Sequence, residues 1–316
     1  MMKVLFLSPI KTLLLILLAA AILITACNQE EATRRVDLSE RKQIRTRQEL
    51  DSLTYACLPQ YSHRVSFSRH HRLVEYIFEK TGLPIRQIFP DSFEAHVRMV
   101  EEGKIDISFS NPLVYTRIAA RYQARAFARI VEKNGSPTFR GQIICRADNK
   151  AIQNIQDCRN KRWMAVAPTS AAGYLFALDH FLKHGISKKD FRSIAFAPGP
   201  GGKQEKVVQA VYLGEADIGS IREGTLDLVR DRVEPSAIRV LANTQRYPSW
   251  VYAARKGLDP DVVEAISQAL LDLDPNQPKH REMLESAHFQ GIIPATDADF
   301  DPIRRLIDQV EVNPGE

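Results

Sequence analysis

The 316-residue chain carries a formal net charge of +5, from 43 Lys and Arg against 38 Asp and Glu, and its basic residues are interspersed with acids, as where Arg41 and Lys42 follow Glu40. That distribution excludes the clustered basic footprint of a nucleic-acid binder. Four cysteines without a Cys-x-x-Cys, and eight histidines without a His-Glu-x-x-His, leave a metal site without support, and no cofactor is expected.

In chain order, Lys3 and Lys11 precede an apolar run from Leu13 to Ala26 that is too short to cross a bilayer as a stable helix. Residues 1–26 read as a signal peptide. The run ends Ile24-Thr25-Ala26-Cys27, which resembles the lipobox of bacterial lipoproteins, where the cysteine is lipidated and becomes the mature N-terminus. This implies an exported chain, anchored to a bacterial membrane through Cys27 and facing the periplasm or the cell exterior; the plain alternative is a secretory peptide with an incidental cysteine. Residues 27–50 are polar and charged, with Glu30, Glu31, Arg34 and Arg35, and suit a flexible tether. Loss of residues 1–26 lowers the formal charge from +5 to +3. About 265 residues then remain, enough for two lobes.

Cys57, Cys145 and Cys158 lie in that remainder. In an exported protein, one disulfide with one thiol left over is the expected arithmetic. The short intervening loop favours Cys145 with Cys158, although sequence does not set connectivity.

The folded region opens with Leu53–Pro59, strand-like and halted by proline. A helix follows, with Leu73, Val74, Tyr76, Ile77 and Phe78 on its apolar side and Thr81-Gly82 at its end. A strand over 85–89, a helix over 93–102 stopped by Gly103, and a strand over 105–109 give the order β, α, β, α, β. A largely parallel sheet covered on both faces is the expectation. Ser110-Asn111-Pro112 then turns into another helix, with Pro112 where the first turn tolerates a missing N–H.

The same device recurs further on. Trp163 to Ala167 is a short apolar strand, and Tyr174, Leu175, Leu178, Phe181 and Leu182 recur at helical spacing after Pro168-Thr169-Ser170. The hydroxyls offer an N-cap, and the first N–H groups of the helix point outward, as in an anion site; an ordinary capped helix is the bland reading. Val100 to Ser108 and Val211 to Gly219 also share one phrase: helix end, glycine stop, strand. Gln142 to Cys145 suits a crossing strand, and Arg239 to Ala242 with Trp250 to Ala253 a return. Helices over 262–273 and 302–310 would rejoin the first lobe. The domains are therefore 51–142 with 246–316 as lobe 1 and 143–245 as lobe 2, with a hinge and a cleft between them.

The ordered set Leu58-Pro59, Glu75-Tyr76 to Thr81-Gly82, Gly103 to Phe109 with Pro112 to Tyr115, Pro168-Thr169-Ser170 with Gly173-Tyr174-Leu175, and Val211 to Gly219 resembles the phosphate/phosphite/phosphonate-binding proteins of ABC transporters. The resemblance runs from about Leu53 to about Leu273. It implies an α/β, two-lobed periplasmic-binding-protein fold, type II-like, whose lobes close on a small oxyanion. It also implies a monomeric, non-enzymatic, lipid-anchored solute-binding protein serving an ABC permease. In that family the second-lobe turn reads roughly Asp-Pro-x-Ser-Thr-Ser-Gly; Pro168, Ser170 and Gly173 match, while Ala171 and Ala172 replace two hydroxyl residues. The backbone donors of Thr169 to Ala172, Ser170 and Ala171 included, survive that change and face donors at Ser110 to Leu113, Asn111 among them, on the other wall. Gln204 stands at the place of a family histidine. Arg222 stands where aminophosphonate binders carry an acid, with Glu223 adjoining. Tyr115 matches a family aromatic near the cleft, and Tyr61 lies where another is found. These departures imply weak binding of 2-aminoethylphosphonate.

Two other readings keep or replace that role. A binding protein of this fold can report its ligand to a membrane sensor kinase. A hydrolase or transferase using Ser170 has less support, because no Gly-x-Ser-x-Gly elbow and no sequence-adjacent base occurs. Pro198 to Lys203 is not a phosphate loop, since Gln204 follows the lysine and two prolines lack the required N–H groups. His63, His70 and His71 read as exposed loop and helix residues.

Overall fold

The computed structural model describes residues 52–312. The signal peptide, the lipidation site Cys27 and the tether over 27–50 lie outside the described residues. Among the described residues, no helix is long and apolar enough to cross a membrane.

Strands β1 (Leu53–Cys57), β2 (Ile85–Ile88) and β3 (Ile107–Ser110) pair in parallel, and β12 (Val251–Ala254), β4 (Arg125–Glu132) and β13 (Phe289–Pro294) extend them antiparallel, in the order β13-β4-β12-β3-β1-β2. Helices α1 (His63–Thr81) and α2 (Phe93–Glu101) connect the parallel strands, as crossover connections must, and α3 (Pro112–Tyr122) leads from β3 to β4. α1 buries Leu73, Val74, Tyr76 and Ile77 and ends at Gly82, whose φ of 69° is the left-handed value that lets its N–H reach the Phe78 carbonyl. Phe78 itself is 52% exposed, so the apolar face is narrower than its sequence suggests.

The second sheet has the order β10-β6-β9-β7-β8, built from β10 (Ile238–Asn243), β6 (Gly141–Arg146), β9 (Ile218–Arg222), β7 (Arg162–Ala165) and β8 (Ser193–Phe196). Its helices are α4 (Phe176–Lys183), α5 (Lys203–Tyr212) and the short α6 (Thr225–Leu228). α5 rests on β9 at Gly219, where an added Cβ would lie 2.7 Å from Val207 Cγ1 and 2.9 Å from Val211 Cγ2. Only a glycine admits the helix that closely.

The chain passes between the sheets through a two-stranded ribbon, β5 (Thr138–Phe139) against β11 (Tyr247–Pro248). Gln142 to Cys145 already pairs inside the second sheet, so the crossing falls a few residues earlier than the sequence suggests. Helices α7 (Pro260–Leu271) and α8 (Pro278–Ala287) pack on α1, whereas α9 (Asp301–Val312) packs on α3 and also touches α4 of the second sheet.

The shared phrase before β3 and β9 has a structural counterpart. Gly103 and Gly214 take positive φ, of 66° and 74°. Asp106 Oδ2 accepts from the Thr54 N–H of the parallel neighbour β1 and Oδ1 from Arg255 Nε, while Asp217 Oδ2 accepts from the Arg162 N–H of the parallel neighbour β7 and Oδ1 from its Nη2. In each sheet an arginine-paired aspartate ties the start of one strand to the next. The pairing holds the Asp217 carboxyl below the usual range.

The expected Cys145–Cys158 disulfide is corrected: Cys57, Cys145 and Cys158 are free and buried. A short loop in sequence did not decide the pairing, because Cys145 sits inside β6 between β9 and β10 and Cys158 ends a one-turn helix, each packed as a small apolar side chain. Burial pushes the Cys57 and Cys158 thiols up to about 12, so both stay protonated at neutral pH. His70 is likewise not exposed: it is 3% accessible and bonded through Nδ1 to the Tyr55 hydroxyl at 2.9 Å.

Candidate functional site

Two helix N-termini meet between the sheets. Asn111 caps α3, its Oδ1 accepting from the Val114 N–H at 2.9 Å, and its Nδ2 donates to the Thr169 carbonyl at 3.2 Å. Ser170 caps the facing helix, its Oγ accepting from the Gly173 N–H at 3.2 Å. That helix begins as a wide π turn, Ala171–Leu175, and runs directly into α4. Such a turn leaves its first N–H groups, those of Ala171 and Ala172, without a carbonyl in their own helix. Gly173 is required here by space, since an added Cβ would overlap Val166 Cγ2 and lie 2.9 Å from Ser170 Oγ.

The hydroxyl left over is that of Thr169. It is buried without a hydrogen-bond partner, as are Ser110 Oγ at the end of β3 and Ser249 Oγ beside the β11 ribbon. An unpaired buried hydroxyl costs about 1–3 kcal/mol, so those of Thr169 and of Ser110, next to Asn111, ask for an acceptor or donor that the chain itself does not supply. Sequence reasoning singled out Thr169 and placed Ser110 among the donors of the facing wall, but missed Ser249 as a site residue.

Further out, a cavity of about 520 Å³ opens between the lobes, walled by Tyr61, Arg69, Glu132, Lys133, Arg222 and His288, among others. Tyr61, Arg69 and Arg222 also line a small inner cavity of about 20 Å³ that reaches Phe109 and Trp250, next to Ser110 and Ser249. The inner space admits one water and not a tetrahedral anion. The lobes touch here as well as at Asn111 and Thr169: Gly201 of the Pro198–Gly202 loop sits so that a Cβ would lie 3.2 Å from the Tyr61 carbonyl oxygen. Lys206 Nζ holds that loop by donating to the Pro198 and Pro200 carbonyls at 3.0 and 3.3 Å.

Arg222, at the end of β9, reaches across the cleft. Its Nη2 donates to both oxygens of Glu132 on β4, at 2.7 and 2.5 Å, and its guanidinium lies 5.0 Å from the Phe139 ring centroid and 5.7 Å from that of Trp250. Glu223 is taken up by Arg140 at 3.1 Å and by Arg246 at 2.9 Å. Gln204 is buried, with Oε1 accepting from the Arg222 N–H at 2.9 Å, so it steadies the β9 end that carries Arg222. Arg69 stacks over Tyr61, 4.0 Å from the ring centroid, and has no acidic partner among the described residues. Neither Arg69 nor Glu132 was singled out in the sequence, because α1 and β4 carry many charged residues and nothing local marks these two.

Tyr115 does not face the cleft. Its hydroxyl donates to Asp297 Oδ1 at 2.7 Å and accepts from the Ala126 N–H at 3.2 Å, and its ring packs 4.6 Å from that of Phe300. Burial and the Asp297 bond both push the hydroxyl pKa up. The structure thus brings Tyr61 and Arg222 to the outer cavity from opposite lobes, with Gln204 buried behind Arg222, brings Asn111, Thr169, Ser170 and Ala171 to the interlobe contact, and leaves Tyr115 in the packing under α9. His63, His70 and His71 point to different neighbours, and among the described residues no three His, Cys, Asp or Glu side chains are grouped to hold a metal.

Two α/β lobes joined by a narrow ribbon, and meeting where helix N-termini and arginines line a cleft, define a solute-binding protein of the periplasmic-binding-protein fold. The chain belongs to the family described as ABC transporter, phosphonate, periplasmic substrate-binding protein, whose family model matches residues 55–300. It is 22% identical over 276 residues to the phosphate-import protein PhnD of Mycolicibacterium smegmatis, a match covering 82% of this chain and 85% of that protein. In structure it is similar to a binding-protein component of an ABC phosphonate transporter from Pseudomonas aeruginosa, with a TM-score of 0.72 at 16% identity, covering 81% of this chain and 85% of the other. PhnD1 from Prochlorococcus marinus, solved in complex with methylphosphonate, gives a TM-score of 0.72 at 15% identity over 83% of this chain and 98% of the other. These likenesses establish the fold; the family establishes a substrate-binding component of an ABC transporter, and with it an exported protein.

Proposed function

We propose that the protein captures a small oxyanion of the phosphate, phosphite or phosphonate kind between its lobes and presents it to an ABC permease, held at the membrane by a lipid on Cys27. The observation that carries the ligand class is the unpartnered Thr169 hydroxyl, buried at a helix N-terminus that Asn111 of the other lobe touches directly. A negative group there gains the N–H donors of Ala171 and Ala172, the helix dipole and the orphaned hydroxyls together. Closure is part of binding, because only the closed arrangement lets one anion meet both walls.

An ammonium-bearing ligand is disfavoured on the same grounds. The two carboxylates of the outer cavity nearest the hinge, Glu132 and Glu223, are each committed to arginines. Titration calorimetry with phosphate, phosphite, methylphosphonate and 2-aminoethylphosphonate tests the reading: at least one of the first three binds, and 2-aminoethylphosphonate binds more weakly. Tight 2-aminoethylphosphonate binding would overturn the second part, and no binding of any of the four would overturn the whole. Mass spectrometry of membrane-purified protein tests the anchor, with an unmodified Cys27 counting against it.

A further inference from the structure

We infer that the cleft holds a second anion subsite, formed by Arg69 over Tyr61 with Lys133 and His288 beside it, and that the preferred ligand is a phosphonate or phosphate ester carrying a second acidic group. This rests on the oxyanion reading above and deepens it by naming the ligand's other end.

Size is the first argument. The outer cavity, about 520 Å³, falls within the roughly 300–1,000 Å³ of sites that take whole small organic molecules, and a bare oxyanion would leave most of it to solvent. Tyr61, Arg69 and Arg222 line it and the small inner cavity alike, and that inner cavity reaches Phe109 and Trp250, which adjoin Ser110 and Ser249 in the chain. The backbone makes the same link: Gly141 pairs with Arg222 across β6 and β9, and a Cβ on Gly141 would lie 2.5 Å from the Ala172 carbonyl oxygen at the helix N-terminus. A ligand whose oxyanion sat at that N-terminus would extend past Arg222 to reach the outer cavity.

Charge is the second. The acids on the cavity wall already have partners: Glu132 has Arg222, Glu223 has Arg140 and Arg246, and Asp227 has Arg230. Two cations do not: among the described residues neither Arg69 nor Lys133 has an acidic partner within ion-pair distance. His288 lines the same cavity on a left-handed backbone, φ 64°, a conformation uncommon outside glycine. Burial, then Arg69, Lys133 and Arg222, push its imidazole down to about 4, so it is neutral at pH 7. A half-buried guanidinium stacked on a tyrosine is positioned for a planar carboxylate or a second phosphoryl group, for which its fork of donors is suited.

The test is calorimetry on the purified full chain with methylphosphonate, phosphonoacetate and 3-phosphonopropionate. At least one of the two carboxylated ligands should bind about tenfold or more tightly than methylphosphonate, the size of one charge-assisted contact. In Arg69→Gln that ratio should collapse towards one, and Arg69→Lys, which keeps the charge without the fork, should retain part of it. Methylphosphonate binding with no preference for either carboxylated ligand overturns the second subsite and leaves the oxyanion reading standing. An unchanged ratio in Arg69→Gln overturns the assignment to Arg69, and failure of all three ligands to bind, together with phosphate and phosphite, overturns both.

Discussion

Asn111 Nδ2 donates to the Thr169 carbonyl at 3.2 Å, which joins the two lobes at the point where two helix N-termini meet. The bond uses backbone oxygen and spares the Thr169 hydroxyl, whose burial without a partner is a cost of about 1–3 kcal/mol to the closed form. Thr169→Val removes the hydroxyl and keeps the shape. The melting temperature should therefore hold or rise, while affinity for the preferred oxyanion falls about tenfold or more. A lower melting temperature with unchanged affinity would make the hydroxyl structural.

Arg222→Ala should act differently, because it strands Glu132 in a cleft where both side chains are largely shielded. Loss of one partner from a buried ion pair costs about 3 kcal/mol, less what solvent recovers at a partly open cleft. Denaturant melts should show that loss. Glu132→Gln keeps a hydrogen-bonding partner for Arg222 and should cost clearly less.

Tyr115→Phe separates packing from binding. Asp297 and the Ala126 N–H each lose the hydroxyl, which predicts a loss of about 1–2 kcal/mol in stability. Oxyanion affinity should stay within about twofold, since the side chain lies under α9 and away from the cleft; a larger change in calorimetry would return Tyr115 to the site.

Acid should destabilise the fold through its buried histidines, His70 and His96 above all, with a smaller part from His288. Burial pushes His70, and likewise His96, down to about 3, whereas an unfolded chain protonates histidine near 6.5. Between those values the unfolded state binds more protons, so stability rises with pH through the window from about 3 to 6.5 and is lost as pH falls through it, by up to about 1.4 kcal/mol per pH unit for each histidine. Melts of His96→Gln should show a shallower slope than the native chain over that window; equal slopes would contradict the assignment.

The fold was legible in the sequence because its signals are local. Gly82, Gly103 and Gly214 stop helices at positive φ, Pro112 and Ser170 start them, and alternating strands and helices leave few other arrangements. The helix-capping half of the site was legible for the same reason. What was not legible depends on partners far apart in the chain. Arg222 read as a group open to ligand until Glu132, 90 residues away, was found on it. Tyr115 read as a cleft residue until Asp297, 182 residues away, was found to hold it. The disulfide failed similarly, since a short loop says nothing of where two buried strands and turns aim their thiols.

The central claim is that an oxyanion binds where Asn111 meets Thr169, and titration of Thr169→Val beside the native chain with phosphate, phosphite and methylphosphonate tests it most directly. The native chain should bind at least one of them, and the variant, equally well folded by its melting curve, should bind it about tenfold or more weakly. Equal affinities in the two proteins, or no binding to the native chain, would contradict it.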